Sequence, residues 1–294
     1  MVQPRFRRYN LLKRLPYHPK GQLTLPTAPP QWSIRLATLY RAIADPPYLI
    51  NEDMTKVHPS TGDVFADLIF IHGLDGSYDL KWQAAGVESF WPSWLAADIP
   101  DVAIWSMSYV AHASRWQGAA LPILQQSANL LAEMRNRNIG RRPICLIGHS
   151  LGGLMIKQLL RTGIERAIEF PEIAANVRAV TFIATPHTGS DLVQWARNMQ
   201  MIFRPTVLIR DLDTDNDGLR DLNSWYRTWV ANSNIATLAL CETEPLFLGR
   251  FIRTLIVSPL SSDPELPNVS PLRLDHTNHK NICKPPDRTS EAYR

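Results

Sequence analysis

Five residues near the middle of the chain constrain it most: Gly148-His149-Ser150-Leu151-Gly152, with an apolar run before them and a long helical pattern behind. The run before, PICLIGHS (143–150), reads as a buried strand. The run behind, LGGLMIKQLLRTGIERAIEF (151–170), reads as a helix. A serine at a strand-to-helix turn with a glycine two residues to each side fits G-x-S-x-G in the setting that gives this pattern weight. The reason is local. The serine sits in a strained backbone region, and the flanking positions must lack Cβ for the turn to close. Gly153 allows a further close approach. The helix start then aims free N–H groups at the site and favours negative charge there. Ser150 is the candidate nucleophile and the Leu151 N–H a candidate oxyanion donor. His149 reads as packing or hydrogen bonding beneath the turn.

The rest of the chain supplies a sheet around this turn. LIFIHG (68–73), VAIWSMSY (102–109), AVTFIATP (179–186), IATLALCETEP (235–245) and RTLIVSP (253–259) read as further strands. They are continuous apolar runs without strict alternation, which indicates burial on both faces: a mostly parallel sheet flanked by helices. ALPILQQSANLLAEMRNRN (120–138) is an amphipathic helix, with Ile123, Leu124, Leu130, Leu131 and Met134 close to one face. No internal repeat is visible.

Charge divides the chain. Residues 1–44 carry Arg5, Arg7, Arg8, Lys13, Arg14, Lys20, Arg35 and Arg41 and no acid, so all 27 acidic residues lie beyond them. The pI near 9.0 is a property of the leader, and the body is net negative. Charge therefore gives no support to nucleic-acid binding by the body. Residues 1–62 are expected to be a basic, proline-rich arm with one short helix (32–44), and 63–294 the catalytic domain. The arm is a candidate for peripheral membrane contact, beside the plainer reading of a solvated tail. A transit segment is a weaker reading because no cleavage signal is evident. No apolar run reaches about 18 residues, so no membrane helix is expected. Three scattered cysteines suit a reducing, cytoplasmic setting.

A serine needs a base, and the base needs an orienting acid, in the chain order Ser, Asp/Glu, His. Two histidines lie near the end, His276 and His279; acids available after late strands are Glu242, Glu244 and Asp263. A His72-Gly73 turn after the first strand would present the Leu74 N–H as a second oxyanion donor.

Five segments carry a family resemblance: HGLDGSYDLKW (72–82), FWPSWLAADIPDVAIWSMSY (90–109), GHSLGGLMIKQLL (148–160), TFIATPHTGSDL (181–192) and HKNICKPPDRTSEAYR (279–294). Together they resemble the lipase-like, serine-active-site group of the α/β-hydrolases. That group is related to phospholipid-remodelling proteins and, more distantly, to GPI inositol deacylases. SRWQG (114–118) and SSDPELP (261–267) look bacterial in their details. The resemblance covers about 66–294. It implies His279 as the base, because His279 precedes Lys280-Asn281-Ile282-Cys283-Lys284-Pro285 in the family's register, with His276 the second choice. The family often has an acid directly before this histidine; here Asp275 precedes His276 instead. The family's Glu-Thr pair implies Glu242 as the acid, with Asp263 second. His187, which recurs in related lipases, is implied to organise the loop by the pocket, and with His72, Gly73 and His149 is counted among the residues around the substrate.

The segment 187–234 reads either as a cap over an acyl pocket or as core packing. Within it, Asp213, Asp215, Asp217 and Gly218 resemble the start of a calcium loop, but the position needing a bidentate Glu is Ser224. The same residues read well as a helix start. His276, His279 and Cys283 lack a fourth zinc ligand. No metal and no cofactor are expected. The expected reaction is hydrolysis of a small-molecule or lipid ester. Acyl transfer, amide or thioester hydrolysis by the same residues, and a non-catalytic binding protein on the same fold, are the alternatives.

Overall fold

The computed structural model describes residues 54–57, 63–73, 81–84, 90–109, 123–187, 195, 216–248 and 252–294. In chain order its elements are β1 (Met54–Lys56), β2 (Ala66–Ile71), α1 (Trp91–Asp98), β3 (Val102–Met107), α2 (Ile123–Asn136), β4 (Ile144–His149), α3 (Leu151–Glu165), α4 (Pro171–Asn176), β5 (Val177–Ile183), α5 (Asn216–Ala231), β6 (Ala236–Glu242), β7 (Leu246–Leu248), β8 (Ile252–Thr254) and β9 (Leu272–Leu274). Seven strands form one sheet in the order β1-β3-β2-β4-β5-β6-β9. Only the β1–β3 pairing in it is antiparallel.

Strands buried on both faces explain the unbroken apolar runs. In β2, Ile69 and Ile71 join a core with Leu130, Leu131 and Met134 of α2 and Leu154, Leu159 and Leu160 of α3. Phe70, from the opposite face of the same strand, packs with Trp82, Trp91, Ile104, Ile282 and Cys283. Helices thus cover one face, and α1 with the C-terminal segment covers the other. Parallel strands bring all their C-terminal ends to one edge, where His72, Ser150 and Glu242 follow or end β2, β4 and β6.

Three expectations change. The run 253–259 is not a strand of the main sheet. Ile252–Thr254 pairs only with Leu246–Leu248, in a two-stranded hairpin. Ile256 and Val257 are buried, but their N–H groups turn to the Glu242 carboxylate rather than to a neighbouring strand. Apolar composition reports burial, not the ladder that uses it. The last strand of the sheet is instead β9, a three-residue piece too short for a pattern. Met54–Lys56, expected within the arm, is the antiparallel edge of the sheet, with Met54 buried. In α2, Leu124 faces solvent while Gln126 and Ser127 face inward; the Ser127 hydroxyl meets that of Thr162 on α3 at 3.0 Å.

The expected helix after Asp215 is α5, whose Leu222 is buried and whose Tyr226 packs in the core on the α2–α3 face of the sheet. That half of the 187–234 segment is core packing. Trp195 is also buried in that core. The other residues of 188–215, the short helix expected at 32–44 and the rest of residues 1–53 lie outside the described residues.

Candidate active site

Ser150 joins β4 to α3 with φ 54° and ψ −121°. A non-glycine residue there is strained by about 1–3 kcal/mol and persists only when its surroundings over-determine it. They do. The Ser150 N–H bonds to the Ile183 carbonyl of β5 at 2.9 Å, and its own carbonyl accepts the Gly153 N–H at 3.0 Å. A Cβ on Gly148 would lie 2.7 Å from Ile156 Cδ1 and 2.8 Å from the Gly152 backbone. A Cβ on Gly152 would strike the carbonyls of Ile71 and His72. The turn closes only around glycine, as its spacing requires. Leu151 opens α3, so its N–H is among the four that a helix leaves without an internal acceptor.

His279 reaches Ser150 from the far end of the chain. It sits in a turn that Asn278 organises: the Asn278 side chain accepts the Lys280 N–H at 2.9 Å, and Asn281 Oδ1 accepts the Asn278 N–H at 2.6 Å. Ile282 and Cys283 anchor the turn in the aromatic cluster, where Trp91 donates its indole N–H to the Cys283 carbonyl at 3.0 Å. His149 donates its Nε2–H to the His279 carbonyl at 3.0 Å. The residue beside the serine thus holds the backbone of the histidine, and its Nδ1 finds no partner among the described residues.

The side chains then connect. His279 Nε2 lies 2.9 Å from Ser150 Oγ, and Nδ1 lies 3.0 Å from Glu242 Oε2. A carboxylate only accepts, so the imidazole proton resides on Nδ1 and Nε2 is free to accept from the serine. Glu242 is fully buried. Its other oxygen accepts the Ile256 and Val257 N–H groups at 2.7 and 2.9 Å. The carboxylate is thereby fixed in place, and no Lys or Arg pairs with it among the described residues.

The second-choice residues are elsewhere. His276 is 93% exposed and stands 3.5 Å from Glu244 at the surface. Asp263 accepts the Glu265 N–H in a local turn. Thr243 and Glu244 both donate backbone N–H bonds to the Thr277 carbonyl, which ties the end of β6 to the segment before His279.

His72 and Gly73 adjoin the serine: a Cβ on Gly73 would stand 3.0 Å from Ser150 Cβ. His72 is itself out of solvent, stacked on Tyr109 at 4.7 Å. Its Nδ1–H donates to the Gly73 carbonyl at 2.7 Å, and Nε2 accepts the Tyr109 N–H at 3.5 Å. Burial lowers its pKa to about 4, so it is a neutral brace for the turn. Leu74 lies outside the described residues. His187 is likewise buried, with its Nδ1 2.6 Å from Lys157 Nζ. Lys157 escaped sequence reading. The signal was there: it falls three residues from Leu154 and from Leu160, on the buried face of α3.

A mostly parallel sheet, a strained serine turning its central strand into a helix, and a histidine and carboxylate from later strand ends define an α/β-hydrolase fold with a Ser-His-Glu constellation. Residues 68–206 match the family described as "Putative serine esterase (DUF676)". Protein SERAC1 of Mus musculus is 31% identical over 264 residues, covering 81% of this chain and 39% of that protein. Protein SERAC1 of Homo sapiens is 28% identical over 283 residues, covering 88% and 42%. The chain thus spans about two fifths of the length of these curated relatives. Among solved structures, a carboxylesterase of the thaumarchaeon Nitrososphaera gargenis aligns over 79% of this chain and 88% of its own, with 14% identity and a TM-score of 0.48. Phospholipase PlaB of Legionella pneumophila aligns over 60% and 37%, with 14% identity and a TM-score of 0.42.

Proposed function

We propose that this protein is a serine esterase that hydrolyses carboxylic esters, with a lipid or acyl ester as substrate, through a covalent acyl-enzyme. The observation that carries the reading is the unbroken run from Ser150 Oγ through His279 to a Glu242 carboxylate fixed by two backbone N–H groups. His279 Nε2 takes the hydroxyl proton as Ser150 Oγ attacks the ester carbonyl. The Leu151 N–H, with that of Leu74, holds the oxyanion of the tetrahedral intermediate; one such donor contributes about 3 kcal/mol. Collapse breaks the bond to the alcohol, which leaves with the proton from His279. Water then attacks the acyl-enzyme by the same proton route and releases the acid. Glu242 keeps the imidazole in the receptive tautomer and offsets its transient charge.

The lipid-ester reading draws on the quoted motifs and on the serine-esterase family match. The finer placement, in a bacterial branch of the phospholipid-remodelling and inositol-deacylase group, rests on the resemblance alone. The basic composition of residues 1–44 supports membrane contact by the arm, and free Cys145, Cys241 and Cys283 suit a reducing, cytoplasmic setting. Among the described residues no helix is long and apolar enough to cross a membrane.

The test is fluorophosphonate labelling with a panel of p-nitrophenyl esters of graded acyl length, for the wild type and Ser150→Ala. Labelling and turnover that both vanish in Ser150→Ala are expected. A wild type that neither labels nor turns over would leave a binding protein on this fold. Preference for acyl thioesters, or transfer of the acyl group to glycerol, would move the reaction to a different class.

A further inference from the structure

We propose that Lys157, His187 and Asn223 form a buried positioning node that fastens the loop holding Glu242 to the helix that begins at Ser150. This rests on the esterase reading for its kinetic consequence, not for its geometry. Lys157 lies seven residues after Ser150 on α3 and is fully buried. Its Nζ is 2.6 Å from His187 Nδ1 and 2.6 Å from Asn223 Oδ1 of α5, over the faces of Phe182 and Tyr226. No carboxylate pairs with it among the described residues. Burial pushes its pKa well below the usual lysine range, and that of His187 well below the usual histidine range. The amine donates one N–H to Asn223 Oδ1 and one to His187 Nδ1.

From His187 the connection runs onward through the backbone. The His187 N–H donates to the Ser261 carbonyl at 2.7 Å. Ser261 and Ser262 fold back on Ser258: the Ser261 N–H reaches Ser258 Oγ at 3.1 Å and the Ser262 N–H reaches the Ser258 carbonyl at 2.9 Å. Just upstream, the Ile256 and Val257 N–H groups grip Glu242, which orients His279, which meets Ser150. Ser150 opens the helix that carries Lys157. The circuit therefore closes on itself: nucleophile, helix, lysine, histidine, loop, acid, base, nucleophile.

A plain core explanation leaves the lysine unaccounted for. Methionine has similar length and would fill the space with no amine to desolvate. What methionine lacks is two directed donors, and those are what tie the turn after β5 and α5 to one point on α3. Lys157 and His187 do not reach the reacting atoms. They act through the acid's loop.

The experiment compares Lys157→Met and the triple variant Lys157→Met, His187→Leu, Asn223→Leu with the wild type. Rates are normalised to serines titrated by fluorophosphonate. The triple variant removes all three polar side chains of the node together, so it separates positioning from the cost of stranding one of them. Both variants should lose about 10- to 100-fold in kcat with KM little changed, the scale on which small misplacements slow a reaction. The acid limb of kcat/KM should move to lower pH, because an imidazolium with a misaligned carboxylate releases its proton more readily. In hydrogen exchange, the Ile256 and Val257 amides should lose protection while β2 and β4 keep theirs. Native kcat per titrated site with an unmoved acid limb would overturn the proposal, even if Tm fell. An inert wild type would sink the esterase reading alone. The exchange experiment then decides this proposal by itself, since native protection at Ile256 and Val257 overturns it.

Discussion

Two carboxylates are fully buried at opposite ends of the same parallel sheet, and they are stabilised in opposite ways. Asp67, near the start of β2, is paired with a permanent cation. Arg142 meets it with two nitrogens, at 2.7 and 3.2 Å, and the Trp105 indole adds a third bond at 2.9 Å. Glu242, at the end of β6, has two neutral backbone N–H groups and a histidine. An ion pair already made has little left to give when charge appears nearby. A carboxylate held by dipoles keeps its charge for an imidazolium that exists only during reaction. On the proposed esterase reading, the difference separates a buried acid built for stability from one built for chemistry.

The largest expected effect tests that division. Glu242→Gln retains the shape, but an amide can donate to Nδ1 and so favours the wrong tautomer. Its kcat per titrated serine should fall about 10³- to 10⁴-fold, the scale seen when a triad acid becomes an amide. Its Tm should change by only a few degrees. A Glu242→Gln variant that kept its rate would erase the distinction between the two acids.

Acid should also tell the two ends apart. The catalytic end carries buried His72, His149 and His187, all with pKa values lowered by burial. For His72 the folded value is about 4 against 6.5 unfolded. Between these values the unfolded chain binds more protons, so stability is full above about 6.5 and declines as pH falls toward 4. The decline is roughly 3 kcal/mol for this one group. Among the described residues no buried histidine lies at the Asp67 end. Urea unfolding at pH 7.5, 5.5 and 4.5 should show the loss, and His72→Gln should reduce it by the His72 share while His149 and His187 keep the rest. A stability that stays level across the three values would contradict the neutral, buried assignment.

Much of this site is legible in the amino-acid sequence, for physical reasons that differ by residue. Ser150 was marked by glycines that the turn cannot do without. His279 and Glu242 followed from chain order and family register, and the geometry brings them together. What hid was what depends on partners far away in sequence. Ile256 and Val257 form an apolar run, and the usual meaning of such a run is a strand; here the backbone is spent on Glu242. Lys157 drew no reading from the sequence because its acceptors lie 30 and 66 residues away. The edge strands β1 and β9 are three residues each, below the length at which a period can be read.

Asp67→Asn should do the reverse of Glu242→Gln. An amide in place of the carboxylate weakens three bonds at a buried site and lowers stability by about 1–3 kcal/mol, a Tm drop of several degrees. Arg142 is about a third exposed and regains water, which keeps the loss below that of a wholly buried pair. kcat per titrated serine should stay within about twofold, because Asp67 sits at the far end of the strand from His72 and Gly73.

The smallest effect is expected from the two residues that sequence held in reserve. His276→Asn removes an imidazole that is 93% exposed and faces only Glu244. Asp263→Asn alters a local turn whose amide acceptor can still receive the Glu265 N–H. Neither touches the route from Ser150 to Glu242, so kcat and the acid limb of the pH profile should match the wild type within about twofold. A large loss of kcat in His276→Asn, at native Tm and native labelling, would mean that the surface histidine displaces His279 during turnover. The comparison between a fixed structural acid and a dipole-held reactive one would then have to be redrawn around Glu244.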